Sequence, residues 1–102
     1  MTTLHTVNKT PFERATMADC LARLVDGDTV LILEDGVVGA RKGTAFAKAL
    51  QAKMPVCQIF VLGPDAAARG MKAEDLIKGI QLVDYGGFVD LALRCERVCA
   101  WL

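Results

Sequence analysis

Gly27-Asp28-Thr29-Val30-Leu31-Ile32-Leu33-Glu34-Asp35-Gly36 is the stretch that decides the fold. Turn residues stand at both ends, and the run between them, Thr29–Leu33, shows no alternation of apolar and polar side chains. A strand with one wet face alternates, whereas a continuous apolar run is the mark of a strand covered on both faces, as in a parallel sheet between helices. Val56-Cys57-Gln58-Ile59-Phe60-Val61-Leu62 is a second strand of this kind, closed by Gly63-Pro64-Asp65.

Helix and strand signals alternate outward from these two strands. Leu4–Val7 is a short strand candidate followed by the turn Asn8-Lys9-Thr10. Thr10 suits an N-cap and Pro11 the first helical position, where its missing N–H is not needed. That helix is expected to run to about Val25. A second is expected within Val38–Ala52, stopped by Pro55, and Gly63-Pro64-Asp65 opens a short Ala-rich helix that Gly70 closes. Ile80–Val83 reads as a fourth strand, Phe88–Arg94 as a last helix and Val98–Leu102 as a last strand. The order βαβαβαβαβ predicts an α/β domain over residues 1–102. It is expected to be a small doubly wound, mostly parallel five-stranded sheet with helices on both faces. Function is then expected in the loops at the carboxyl ends of the strands, which contain Asn8-Lys9, Glu34-Asp35, Pro64-Asp65 and Asp84-Tyr85.

Composition excludes several classes. The 102 residues leave room for one core and one domain. Twelve basic residues balance twelve acidic ones with no block of like charge, so the basic face of a nucleic-acid binder is not advertised. A neutral chain also does little to repel its neighbours, which suits life among protein partners. No apolar run approaches a membrane span, and the opening MTTLHTVNKTPFER lacks the layout of a signal peptide. The expected compartment is the cytoplasm, with the four cysteines reduced.

Those cysteines, Cys20, Cys57, Cys95 and Cys99, form no CxxC motif. At 100° per residue from Pro11, Met17, Leu21, Leu24 and Val25 share one face of the first helix, with Thr16, Asp19 and Arg23 on the other. Cys20 falls on the border. Two readings stand: a small hydrophobe at the core edge, or a thiol within reach of solvent whose thiolate Arg23 favours, as sulfur transfer requires. Cys57 lies inside a strand and reads as inert core. Cys95 and Cys99 are four apart, but the last helix is expected to end between them, and two ligands do not make a zinc site. His5 reads as a strand residue with a satisfied ring and Asp35 as a cap or turn residue. Gly36, Gly39 and Gly43 form neither a dinucleotide fingerprint nor a P-loop, and no cofactor is expected.

Four stretches carry a resemblance: LHTVNKTPFE at 4–13, VLILEDGVVGA at 30–40, VLGPDAAARG at 61–70 and VDYGGFVDL at 83–91, with Ala100-Trp101-Leu102 at the end. Together and in this order they resemble the TusB/DsrH family of sulfur-relay subunits over essentially the whole chain. The resemblance implies assembly with TusC/DsrF-like and TusD/DsrE-like subunits, two copies of each, into a heterohexamer. That complex accepts persulfide sulfur and passes it to a TusE/DsrC-like carrier, with the principal acceptor cysteine on the TusD/DsrE-like sibling. Residues 6–14 (TVNKTPFER) and the presence of Cys20 look closer to the DsrH branch of dissimilatory sulfur oxidation than to the TusB branch, where the sulfur ends in 2-thiouridine at the tRNA wobble position. The resemblance makes Cys20 a secondary persulfide site with Arg23 in support. Two other readings remain beside it. One is a purely structural subunit without thiol chemistry. The other is a small-molecule module using a pocket lined by Lys9, Asp35 and Asp84.

Overall fold

The computed structural model describes residues 2–102. Its strands β1 (Thr3–Val7), β2 (Thr29–Ile32), β3 (Gln58–Leu62), β4 (Gln81–Val83) and β5 (Arg97–Trp101) form one sheet in the order β4-β3-β2-β1-β5. Every pairing is parallel, so the expected mostly parallel sheet is parallel throughout. The helices between them are α1 (Thr16–Arg23), α2 (Ala47–Lys53), α3 (Gly63–Ala68) and α4 (Tyr85–Arg94).

The chain steps from β1 to β4 one strand at a time, then crosses the whole sheet to place β5 beside β1. Crossovers between parallel strands are right-handed, so reversing the direction of travel sends the connecting helix to the opposite face. Buried side chains follow this division. Met17, Cys20 and Leu21 of α1 and Leu50 of α2 share one core cluster with Val7, Val30, Ile32, Ile59 and Val61. On the other face Leu91 of α4 packs on Leu4, Leu31, Phe60 and Leu62. Helices cover both faces as expected, but unequally, with α4 alone on the second.

Two expected helices are shorter than the sequence implies. Residues 11–15 do not belong to α1, which begins at Thr16. Thr10 instead closes a turn, its carbonyl accepting the N–H groups of Glu13 (3.3 Å) and Arg14 (3.1 Å) and its Oγ1 that of Phe12 (3.3 Å). The Pro11 ring lies so close to Gly39 that a Cβ there would stand 2.5 Å from Pro11 Cγ. This segment therefore packs on the loop after β2 and not on the sheet. Because α1 ends at Arg23 and Leu24 is extended, Val25, expected on the buried stripe, is 58% exposed. The stretch expected as one helix within Val38–Ala52 splits into a 3₁₀ segment, Glu34–Ala40, and α2, with Gly43 at φ +86° between them. That conformation admits glycine and interrupts a helix.

Helix α4 starts at Tyr85, three residues earlier than expected, because Asp84 is a working N-cap: its Oδ1 accepts the Gly87 N–H at 2.7 Å. At the carboxyl ends of β2 and β3, Asp65 Oδ2 accepts the Glu34 N–H at 2.6 Å and Asp35 pairs with Arg69 at 2.7 Å. Asp35 and Asp84 are thus committed to joining local structure, and the small-molecule reading loses two of its three named side chains.

Gly36 holds the loop after β2 against β1. A Cβ there would sit 2.7 Å from the Val7 carbonyl oxygen, which is itself fixed by accepting the Leu33 N–H at 3.0 Å. Gly36→Ala should therefore cost about 1–3 kcal/mol, read as a lowered midpoint in urea unfolding. Gly43→Ala meets no neighbouring atom and should show only the smaller backbone penalty of its positive φ.

Candidate functional site

Asp28, a turn residue in the sequence, is only 2% exposed in the fold. A buried carboxylate is costly unless its oxygens are filled with donors. Here Oδ1 accepts the Thr3 N–H (3.1 Å), while Oδ2 accepts the Val25 N–H (3.2 Å) and lies 2.9 Å from His5 Nε2. Burial pushes the Asp28 carboxyl up, but the hydrogen bonds from His5, Val25 and Thr3 outweigh it, and the group sits below the ordinary carboxylate value. One side chain thus ties the start of β1, the exit from α1 and the start of β2.

The network continues outward. Trp101 Nε1 lies 3.0 Å from His5 Nδ1. An indole N–H can only donate, so Nδ1 is the acceptor and the single ring proton stands on Nε2, donated to Asp28. Both imidazole nitrogens are occupied, which bears out the satisfied ring expected of His5 and leaves it no free nitrogen to act as a base. The Arg23 guanidinium lies over the Trp101 ring, 6.0 Å from its centroid. Here β5 is the edge strand beside β1, with His5 in register with Cys99. Between α1 and β5 opens a groove of about 410 Å³ lined by His5, Arg23, Asp28, Arg97, Cys99 and Trp101 among others.

Cys20 does not face that groove as an accessible thiol. It has 0% exposure and belongs to the core cluster on which Trp101 packs. Burial first, then the neighbouring Cys99, Asp28 and Cys57, push its thiol up to about 12. Arg23, expected to favour a Cys20 thiolate, is instead turned to Trp101. The border position read from helix phase is corrected: the core edge is closed by β5, a strand distant in sequence. Cys57 is buried at 4% as expected, its thiol raised mainly by burial, and its Sγ lies 3.4 Å from the Val25 carbonyl. The last helix, expected to end between Cys95 and Cys99, ends at Arg94, just before them, with Cys95 as its extended C-cap and Cys99 in β5, so the two do not share a helix face. Cys95 is half-buried and Cys99 is exposed.

Residues 9–98 match the family described as DsrH like protein. The chain belongs to the DsrH/TusB family. Relatives in this family include Protein TusB of Erwinia tasmaniensis, 39% identical over 98 residues, covering 96% of this chain and 99% of the relative. Protein TusB of Escherichia coli is 33% identical with the same coverage of both chains. The fold agrees with solved structures of low sequence identity. The ychN protein of E. coli superposes with a TM-score of 0.82 at 14% identity, covering 98% of this chain and 99% of that one. A protein of unknown function from Methanobacterium thermoautotrophicum gives 0.77 at 15% identity, covering 97% of each. The curated relatives carry the TusB name, whereas the opening residues and Cys20 had pointed toward the DsrH branch. Among the described residues no helix is long and apolar enough to cross a membrane.

Sequence reasoning missed Asp28 and Trp101. The available signal was His5, a lone histidine in a strand, which needs partners when buried.

The lowered Asp28 value fixes a pH dependence. Its contribution is full above the unfolded carboxyl value of about 3.9 and is lost as pH falls through the lower folded value. The stability gap between wild type and Asp28→Asn in urea unfolding should therefore be constant above the ordinary carboxyl value of about 3.9 and narrow as pH is lowered below it. For Cys20, alkylation of the folded chain near neutral pH should be slow, should rise on unfolding and should be unchanged by Arg23→Ala. Rapid labelling of folded chain, slowed by that substitution, would restore the accessible-thiolate reading.

Proposed function

We propose that this chain is the TusB-type subunit of a sulfur-relay complex, acting chiefly by shaping the assembly that its siblings need. The observation that carries this reading is the match to curated TusB proteins along nearly the full length of both chains. The partners are TusC/DsrF-like and TusD/DsrE-like subunits in a cytoplasmic heterohexamer, two copies of each. A TusE/DsrC-like carrier receives the sulfur, whose destination is the 2-thiouridine of the tRNA wobble position. The principal acceptor cysteine belongs to the TusD-like sibling. A chain of zero net charge contributes little of the cationic surface that RNA contact needs, which favours an indirect role in tRNA thiolation.

Two features support a structural role. Cys20 is sealed in the core, and thiol exchange needs an accessible thiolate. The outward stripe of α4 is apolar, with Tyr85, Val89 and Leu93 exposed by 60%, 57% and 78%. Side chains of this kind, spaced four apart on one helix, suit burial against another subunit. The sulfur-oxidation role stays as the second reading, favoured by residues 6–14 and by Cys20 itself as a secondary persulfide site.

Complementation separates the readings. In a bacterium deleted for its own TusB-type subunit, this chain, expressed with its TusC- and TusD-like siblings, should restore 2-thiouridine measured by nucleoside mass spectrometry. Cys20→Ala should restore it equally. Assembly without any recovery of 2-thiouridine would favour the sulfur-oxidation role. Recovery by wild type but not by a folded Cys20→Ala chain would make Cys20 a carrier.

A further inference from the structure

The groove between α1 and β5 brings together groups that the relay reading leaves unused. Cys99 is exposed on the open edge strand, and Arg23 and Arg97 line the same hollow. Neither guanidinium is in an ion pair among the described residues. The one carboxylate lining the groove, Asp28, is buried and has its oxygens taken by Thr3, Val25 and His5. An exposed thiol lining one groove with two guanidiniums free of ion pairs, that of Arg23 resting over Trp101, while the nearby carboxylate is already committed, is a setting for a small anionic partner.

We propose that this groove is a thiol site for an anionic low-molecular-weight persulfide, with Cys99 as the receiving sulfur and Arg23 and Arg97 holding the donor's negative charge. The class of donor rests on the relay reading; the anion selectivity of the groove does not. The Cys99 thiolate attacks the outer sulfur of a donor R–S–SH. A bond forms between Cys99 Sγ and that sulfur, the donor's S–S bond breaks, and R–S⁻ leaves with the bonding pair. Cys99 then carries –S–SH. Charge and atoms balance, and no oxidant or reductant is consumed. His5 takes no proton in this step, since both its nitrogens are engaged with Asp28 and Trp101. It acts as a positioning residue that fixes Trp101, under Arg23. Cys20 lies behind the strand and close enough to Cys99 to be perturbed by it, but it has no exposed surface through which a donor reaches it.

The test uses the reduced full chain and peptide mass spectrometry. Short pulses of iodoacetate and iodoacetamide compare an anionic with a neutral reagent at Cys99, with the same cysteine in urea-unfolded chain as reference. The folded chain should favour the anionic reagent by about threefold relative to that reference, the size expected of partly exposed charges, and Arg23→Gln/Arg97→Gln should abolish the preference. Glutathione persulfide should then leave a one-sulfur increment on Cys99 of the wild type, absent in Cys99→Ser. The proposal is overturned by equal preferences in folded and unfolded chain, by a preference that survives the double substitution, or by no sulfur on Cys99. Sulfur reaching Cys20 of Cys99→Ser at the wild-type rate overturns it too. Anion preference and sulfur on Cys99 in a chain that fails to restore 2-thiouridine would uphold the site while the TusB-type role falls.

Discussion

The Asp28 carboxylate is the constraint on which the rest of the structure depends. It gathers the Thr3 N–H, the Val25 N–H and the His5 ring, so the beginning of β1, the exit from α1 and the beginning of β2 meet at one buried charge. A carboxylate so placed is tolerable only while all its donors are present. The same charge fixes the His5 proton on Nε2, which leaves Nδ1 to accept from Trp101. That bond adds to the parallel ladder between β1 and β5 and holds Trp101 against the α1 side of the core, the cluster in which Cys20 is buried.

Topology accounts for where function is placed. Three successive crossovers bury one face of the sheet under α1, α2 and α3, and the single return crossover leaves α4 to cover the other. A lone helix across five strands keeps an apolar outward stripe and exposed sheet edges, surfaces suited to neighbouring subunits. Three of the four loops at the carboxyl ends of the strands, where function was expected, are tied into the fold: Asp65 to Glu34, Arg69 to Asp35, and Asp84 to its own helix. Chemical opportunity lies instead beside the edge strand, where Cys99, Arg23 and Arg97 line one groove.

The strands were legible because covered parallel strands are apolar throughout, and Thr29–Leu33 and Val56–Leu62 have that character with turn residues around them. Helix limits were less legible where contacts distant in sequence intervened, as when Pro11 seats on Gly39 or when Gly36, Gly39 and Gly43 replace one helix by a 3₁₀ segment and a short α-helix. The phase of α1 placed Cys20 near its correct azimuth, yet exposure depends on what lies opposite, and β5 is almost eighty residues away. Asp28 could not be read as an organising group, because its donors come from residues 3, 5 and 25, while locally it looks like one more turn residue before an apolar run.

The central claim is that this chain works as one of three kinds of subunit in a shared assembly. Native mass spectrometry after co-expression with TusC-like and TusD-like siblings tests it most directly. The account predicts a single complex holding two copies of this chain and two of each sibling. This chain recovered alone, or only with copies of itself, while the siblings assemble without it, would contradict the account.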